Sequence, residues 1–411
     1  MQPKYGQAPS MTNMMTLSTR SRRLRSCRRI AALPPLVLIA SLAACVSPSS
    51  RPVAREAARV PVRVPMPAPL PRPYLPPAQT AMPSPMLQAP EARGAVADPV
   101  LASRITALGR AFNGEVGIAV RDVHGGWTAS WNGSALMPQQ SVSKLWVAIT
   151  LFDAIDKGTV RLSDPVDVTA ADMTLFHQPI RGELRDGVFH TTVSDLLNRA
   201  MTQSDNTAND LLLRRVGGPE AVRAVLARAG VQRVRFGPGE RLLQSGTAGL
   251  TWRPEYSIGN AFYAARSALP ASVRQAALAR YLADPVDGAS ADGITDGLAK
   301  LKRGEIVSSE SAQRLISIMY GSKTGPQRMK SGTAPGWLIA HKTGTGQIYE
   351  GVSTGYNDVA LVTAPDGSTY AVAILIGRTR EEIPTRQQLM GNVIRALVDY
   401  KSRASYGSYA R

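Results

Sequence analysis

The stretch Asp358-Val-Ala-Leu-Val-Thr-Ala-Pro-Asp-Gly-Ser-Thr-Tyr-Ala-Val-Ala-Ile-Leu-Ile376 decides the fold. Two strand-like runs, 358–363 and 369–376, flank the turn formers Pro365-Asp366-Gly367, the pattern of an antiparallel hairpin. After it, a helix is expected over about 385–400; before it, Gly336-Trp-Leu-Ile-Ala-His341 reads as a strand. At the other end of the globular pattern, Asp98 to Phe112 reads as a helix with Leu101, Ile105 and Leu108 on one face. Glu115 to Arg121 alternates as a strand, turns at His124-Gly125-Gly126 and returns through Trp127 to Trp131. From Ser143 to about Ala229 the chain reads as largely helical, and no internal repeat is visible. Strands at both ends and helices between them predict an α/β (α+β) fold. A mainly antiparallel sheet is built from both chain ends and flanked by helices, with an all-helical lobe inserted.

The chain has 411 residues, is 44% hydrophobic and carries a formal charge of +18. That charge raises nucleic-acid binding as a class, but its distribution argues against it. Residues 1–98 hold 13 of the 48 Lys+Arg and only 3 of the 30 Asp+Glu, so the globular part is left with a modest basic excess. Its arginines are scattered, with no aromatic-interleaved stripe for stacking bases, and no nucleic-acid partner is expected. The two cysteines, Cys27 and Cys45, precede the globular pattern, which leaves that part without a disulfide or thiolate site. His124, His177, His190 and His341 stand singly, without the paired spacing of a zinc hydrolase. No metal or cofactor is expected.

Arg20, Arg22, Arg23, Arg25, Arg28 and Arg29 form a charged n-region before an apolar run from Ile30 to Ala44. The run is short for a membrane span and ends in small residues, as an export signal does. Leu42-Ala43-Ala44-Cys45 resembles a bacterial lipoprotein cleavage box, which implies a lipid on Cys45; an ordinary signal peptide with an incidental cysteine is the alternative. Ser21-Arg22-Arg23 also fits twin-arginine export, and Met14 or Met15 fits a later start. Val46 after the cysteine points to the outer membrane, so the expectation is a lipoprotein at the periplasmic face, or a soluble periplasmic protein. From Pro48 to Pro90 lie 13 of the 30 prolines. Such a segment lacks the apolar density to fold and should run as an extended tether, at ~3.1 Å per residue on the order of 150 Å long.

Three short motifs carry the chemistry. Ser141-Val-Ser-Lys144 sets a serine and a lysine one helical turn apart, so the amine stands beside the hydroxyl. A serine is a weak nucleophile until a neighbouring base takes its proton, and backbone N–H groups at a helix start can stabilise an oxyanion. Ser204-Asp205-Asn206 lies between an expected helix over 193–202 and another over 208–216. There Ser204 can relay a proton to a leaving nitrogen and the Asn206 amide can hold a substrate carbonyl; a helix-capping loop, which favours the same residue types, accounts for them too. Lys-Thr-Gly occurs twice. Lys323-Thr324-Gly325, before Pro326, reads as a helix C-cap, whereas Lys342-Thr343-Gly344, continuing to Thr345-Gly346, follows a strand pattern and is the functional candidate.

In this order the motifs form the set of penicillin-recognising serine enzymes, and from about Asp98 to Tyr400 the chain resembles the class A serine β-lactamases. The likeness extends along Ser204-Asp-Asn-Thr-Ala-Asn-Asp-Leu-Leu-Leu-Arg-Arg-Val-Gly-Gly-Pro219 and to Asn357-Asp358. It also covers Thr324-Gly-Pro-Gln-Arg328, where the family's arginine helps bind the substrate carboxylate. His177, in Phe176-His-Gln-Pro179, falls where the family often has an aromatic gate; a surface histidine fits equally. The family's water-activating glutamate stands in E-x-x-L-N. An ungapped count from Gly218-Pro219 puts it at Glu240 in Glu240-Arg-Leu-Leu-Gln244, with Gln244 in place of the asparagine. Glu255, in Trp252-Arg-Pro-Glu-Tyr256, is the rival, but its motif has Arg253 at the catalytic place. Asp284-Pro-Val-Asp287 resembles the far end of the family's Ω loop, over forty residues after Glu240. The loop therefore carries an insertion, with helices expected around Tyr256–Ala268 and Ala271–Leu282. The family's bracing arginine is replaced by Pro238.

The resemblance implies a monomeric hydrolase of β-lactams. Ser141 attacks after losing its proton to Lys144, or to Glu240 through water; Ser204 and Lys144 protonate the leaving nitrogen; Glu240 activates water to release the acyl group. Thr343, Thr345 and Arg328 bind the lactam carboxylate beside Lys342 and Gly344, and Asn206 and Gln244 complete the binding set. The backbone N–H groups of Ser141 and Thr345 receive the lactam carbonyl. The implied organisation is a signal peptide over 1–45, a tether over 46–97, a catalytic domain over 98–402 and a flexible tail over 403–411. Two other readings stay open: a D,D-peptidase or esterase with the same motifs, and a tethered non-enzymatic cell-wall or lactam-binding module.

Overall fold

A computed structural model describes residues 96–409, with side chains described to residue 404. The expected leader, its Cys45 lipidation site and nearly all of the tether lie outside the described residues. Helix α1 (Pro99–Ala111) starts behind Asp98, whose carboxylate accepts the Leu101 N–H at 2.9 Å, an N-cap that satisfies one of the first-turn donors. Strands β1 (Glu115–Asp122) and β2 (Thr128–Trp131) form the first hairpin. Then β3 (Met137–Pro138) leads into a tight 3-10 turn at Gln140–Ser143 and into α2 (Lys144–Asp156). The inserted lobe continues with β4 (Pro165–Thr169), β5 (Val188–Thr192), α3 (Val193–Asn198), α4 (Asn206–Arg215) and α5 (Gly218–Arg228). It goes on through α6 (Glu240–Thr247), α7 (Ala261–Ala268), α8 (Ala271–Ala283), β6 (Gly288–Ala289), α9 (Ala291–Lys302) and α10 (Ser309–Tyr320). The chain returns through β7 (Leu338–Thr345), the small hairpin β8 (Ile348–Tyr349) and β9 (Val352–Ser353), then β10 (Tyr356–Thr363) and β11 (Thr369–Arg378). Helix α11 (Ile383–Tyr409) closes it.

The main sheet has the order β2-β1-β11-β10-β7, all neighbours antiparallel. Strands from both ends of the described chain thus meet at its centre, with Val120 opposite Val372. Side chains alternate across a strand, and β11 uses the alternation to separate two cores. Tyr370, Val372, Ile374 and Ile376 join Leu101, Ile105, Val393 and Leu397 of α1 and α11, whereas Ala371, Ala373 and Leu375 join the core of the lobe. The small alanines let α9 lie against the sheet. Because β7 is an edge strand, its outer side is available to whatever approaches it, and the Gln140–Ser143 turn packs there.

Several elements of the structure differ from the sequence reading. The lobe is not wholly helical, because β4 and β5 pair antiparallel, Pro165 opposite Thr192. Each strand is only five residues long and no tight turn joins them, so no hairpin pattern was visible. Residues 199–203 widen into a π-helical turn instead of continuing α3 to Thr202. Finally, α11 continues through Tyr409, past residue 402, where the catalytic domain was expected to end.

Candidate active site

Ser141 lies in the turn that precedes α2, and Lys144 is the first residue of that helix. The one-turn spacing brings Lys144 Nζ to 2.8 Å from Ser141 Oγ. The same nitrogen meets Asn206 Oδ1 at 2.8 Å and is ion-paired with Glu240 Oε1. An ammonium has three donors, and three acceptors surround this one, whose side chain is wholly buried. Four elements of the sequence reading therefore meet on one nitrogen. Glu255, the rival glutamate, sits on an exposed turn at Pro254–Ser257.

Glu240 opens α6, so its carboxylate stands at a helix N-terminus. One turn on, Gln244 Nε2 donates to Glu240 Oε2 at 3.2 Å, so the amide that replaces the family's asparagine reaches the carboxylate. Below them lies Asp210 of α4, which sequence reasoning missed although it follows Asn206 by one helical turn. Asp210 Oδ1 accepts the backbone N–H of Glu240 at 3.1 Å and so fixes the start of α6. Full burial, reinforced by the negative charge of Glu240, pushes the Asp210 carboxyl up to about 6. Burial does the same to Asp287, also to about 6.

Both carboxyls hold their proton more tightly in the folded state than in the unfolded chain. Their contribution to stability is therefore complete below the ordinary carboxylate range and is lost as the pH rises through about 6. Asparagine at position 210 keeps an acceptor for the Glu240 N–H but cannot ionise. In urea unfolding, the loss of stability between about pH 4 and about pH 7 should shrink by roughly 2 kcal/mol in Asp210→Asn. An unchanged difference would show that Asp210 does not titrate in this range.

Ser204 takes a left-handed conformation (φ 62°) at the end of the π turn, and Asp205 caps α4 by accepting the Ala208 N–H at 2.9 Å. The capping role weighed for this loop is thus real for Asp205, while its neighbours face the site. Ser204 Oγ accepts from Lys342 Nζ at 2.9 Å. Asn206 Nδ2 donates to Leu175 O at 2.8 Å, and its second hydrogen is left for another acceptor. Lys342 is fully buried; desolvation, then the nearby Lys144 and Arg328 charges, hold its ammonium well below the usual lysine range. His177 lies beside the Ser204 loop. It is exposed, and its Nε2 bonds Gln203 O at 2.8 Å.

A Cβ on Gly344 would collide with the carbonyl oxygen of Gln139, so glycine lets β7 press against the Ser141 turn. Arg328 packs 3.7 Å from the Tyr356 ring and donates to Gly344 O at 2.9 Å and to Thr345 Oγ1 at 2.6 Å. The first Lys-Thr-Gly is not the cap of α10, which ends at Tyr320. Instead Thr324 Oγ1 bonds Thr343 Oγ1 at 2.7 Å, joining the two copies, while Lys323 is exposed. A serine on a buried lysine, a carboxylate on the same lysine, and a lysine, an arginine and three threonines along one strand edge can acylate, hold an anion and activate water.

Residues 100–401 match the beta-lactamase enzyme family. The chain is 22% identical over 292 residues to beta-lactamase VEB-1 of Pseudomonas aeruginosa, covering 71% of this chain and 87% of that one. It is 25% identical over 265 residues to the extended-spectrum beta-lactamase PER-1 of the same species, covering 64% and 75%. Among solved structures, the ancestral GNCA class A beta-lactamase aligns with TM-score 0.57 and 25% identity over 73% of this chain and 99% of that one. A beta-lactamase from Chitinophaga pinensis aligns with TM-score 0.60 and 24% identity, over 73% and 99%. Two of the motifs meet on the buried Lys144, the third joins them where Lys342 bonds Ser204, and the matched span takes in nearly all of the described chain. The protein therefore belongs to the beta-lactamase enzyme family, as a hydrolase of class A.

Proposed function

We propose that the protein hydrolyses β-lactams through an acyl-enzyme on Ser141. The observation that carries this reading is the Lys144 ammonium shared among Ser141, Asn206 and Glu240. A proton passed from Lys144 to Glu240 leaves a neutral amine 2.8 Å from the serine hydroxyl, able to take its proton. Ser141 Oγ then bonds to the lactam carbonyl carbon while the backbone N–H groups of Ser141 and Thr345 hold the oxyanion, a contact worth ~3 kcal/mol per donor in other hydrolases. The C–N bond breaks as the nitrogen takes a proton delivered through Lys144 and Ser204, the latter bonded to Lys342. Glu240, once its proton has returned to Lys144 across their ion pair, removes a proton from water, whose oxygen displaces Ser141 from the acyl carbon as the serine oxygen takes a proton back from Lys144. Thr343, Thr345 and Arg328 receive the substrate carboxylate. The buried Glu240 beside the nucleophile's lysine favours hydrolytic release over the stalled acyl-enzyme of a D,D-peptidase. Steady hydrolysis of a chromogenic cephalosporin, with a transient adduct on the Ser141 peptide, tests the proposal; an adduct that forms once and persists would favour the peptidase.

Lys342 and Lys323 separate the two Lys-Thr-Gly copies experimentally. Lys342→Ala removes a buried charge from the carboxylate site and should raise KM for a penicillin by roughly tenfold or more, since a hydrogen bond to a charged group contributes about 1.5–3 kcal/mol. Lys323→Ala, on the exposed copy, should leave KM near the native value. Equal damage in steady-state kinetics would mean that the second copy is not the binding one.

A further inference from the structure

The residue before the nucleophile, Gln140, is left-handed at φ 52°. A residue with a Cβ seldom adopts that conformation, and it persists only where surrounding contacts over-determine it. Here those contacts come from the end of the Ω region and from the insertion that separates it from Glu240. The Gln140 backbone N–H donates to Asp287 Oδ2 at 2.8 Å, Tyr281 OH donates to Asp287 Oδ1 at 2.9 Å, and Gln140 Nε2 donates to Tyr281 OH at 2.6 Å. All three residues are buried, and the bonds close into a ring. Burial and the Asp287 charge raise the Tyr281 phenol well above its ordinary range, so it stays a donor.

The ring is joined to the glutamate. Gln244 Nε2 donates to Gln140 Oε1 and to Glu240 Oε2, both at 3.2 Å, while Gln244 Oε1 accepts from Gln347 Nε2 at 3.1 Å. Both ends of the Gln244 amide are thereby assigned, and its two hydrogens point one at each side of the site. We propose that Tyr281, carried by the inserted helix α8, is a positioning residue that holds Ser141 through Asp287 and Gln140 and holds Glu240 through Gln140 and Gln244. The inserted helix takes over the bracing that the arginine missing at Pro238 was expected to supply. The inference rests on Ser141 and Glu240 being nucleophile and base.

Tyr281→Phe removes one oxygen and keeps the ring. With a chromogenic cephalosporin, kcat should fall about tenfold to a hundredfold while KM changes little or falls, and intact mass should show acyl-enzyme accumulating at steady state. Gln140→Met cuts the link to Gln244 by another route. The double variant should then be little worse than Gln140→Met alone, because both changes break one relay. A purely structural role for Tyr281 would lower the melting temperature without building up acyl-enzyme, and would overturn the proposal. Strictly additive losses, or native kcat and KM in Tyr281→Phe, would overturn it as well. The native protein run alongside separates the two levels: no adduct and no turnover there would fell the hydrolase reading and this inference with it. Normal native turnover with an indifferent Tyr281→Phe would fell this inference alone.

Discussion

Ser141→Ala is expected to lose all covalent labelling by β-lactams and at least about 10⁴-fold of the hydrolysis rate, since a triad-type nucleophile carries most of such an enzyme's acceleration. Its hydroxyl is the one that Lys144 reaches, at 2.8 Å; the other two acceptors on that nitrogen belong to an amide and a carboxylate. Ser204, the other hydroxyl of the cluster, is occupied by Lys342. The change should cost little stability. Ser141 is only partly buried, and the Lys144–Glu240 pair keeps both its charges. Intact mass with peptide mapping, beside a melting curve, gives the result. An adduct on Ser204, or hydrolysis that survives the change, would remove Ser141 from the mechanism.

Glu240→Gln should show a stoichiometric burst of chromogenic product and then a steady state slower by ~10²–10⁴-fold, the usual contribution of a positioned general base. The amide can still accept from Lys144, so acylation retains its geometry. A Lys144 that gives its proton to solvent instead of to Glu240 can still take the serine proton, whereas release has no substitute for the carboxylate. The amide cannot take a proton from water, and its nitrogen faces the Gln244 Nε2 donor, which disturbs the fixed amide further. The expected asymmetry is therefore slow release after fast capture. Glu255→Gln, on the exposed turn, should turn over at nearly the native rate. Stopped-flow absorbance resolves the two phases. Native steady-state turnover in Glu240→Gln would end its assignment as base.

The sequence by itself determined the sheet and the pairing of Ser141 with Lys144, because both rest on short-range periodicity. Strand alternation and a turn suffice for the hairpin of β10 and β11, and a three-residue spacing suffices to put Lys144 beside Ser141. Chain order alone also assigned strands from both ends to one sheet, leaving the lobe between them. The short β4–β5 pair escaped because nothing local joins its strands.

What joins residues far apart was decided only by tertiary packing. The choice of Glu240 over Glu255 turns on a contact with Lys144 across 96 residues, and the capture of Thr324 by Thr343 depends on where α10 ends. Asp210, Gln140, Tyr281 and Gln347 belong to no motif. Each became part of the site because burial leaves a polar group no partner but the nearest complementary one, and which group is nearest is a property of the packed insertion. Loop length was legible as an insertion; its use as a brace was not, since hydrogen-bond partners follow from the path of α8 and not from its composition.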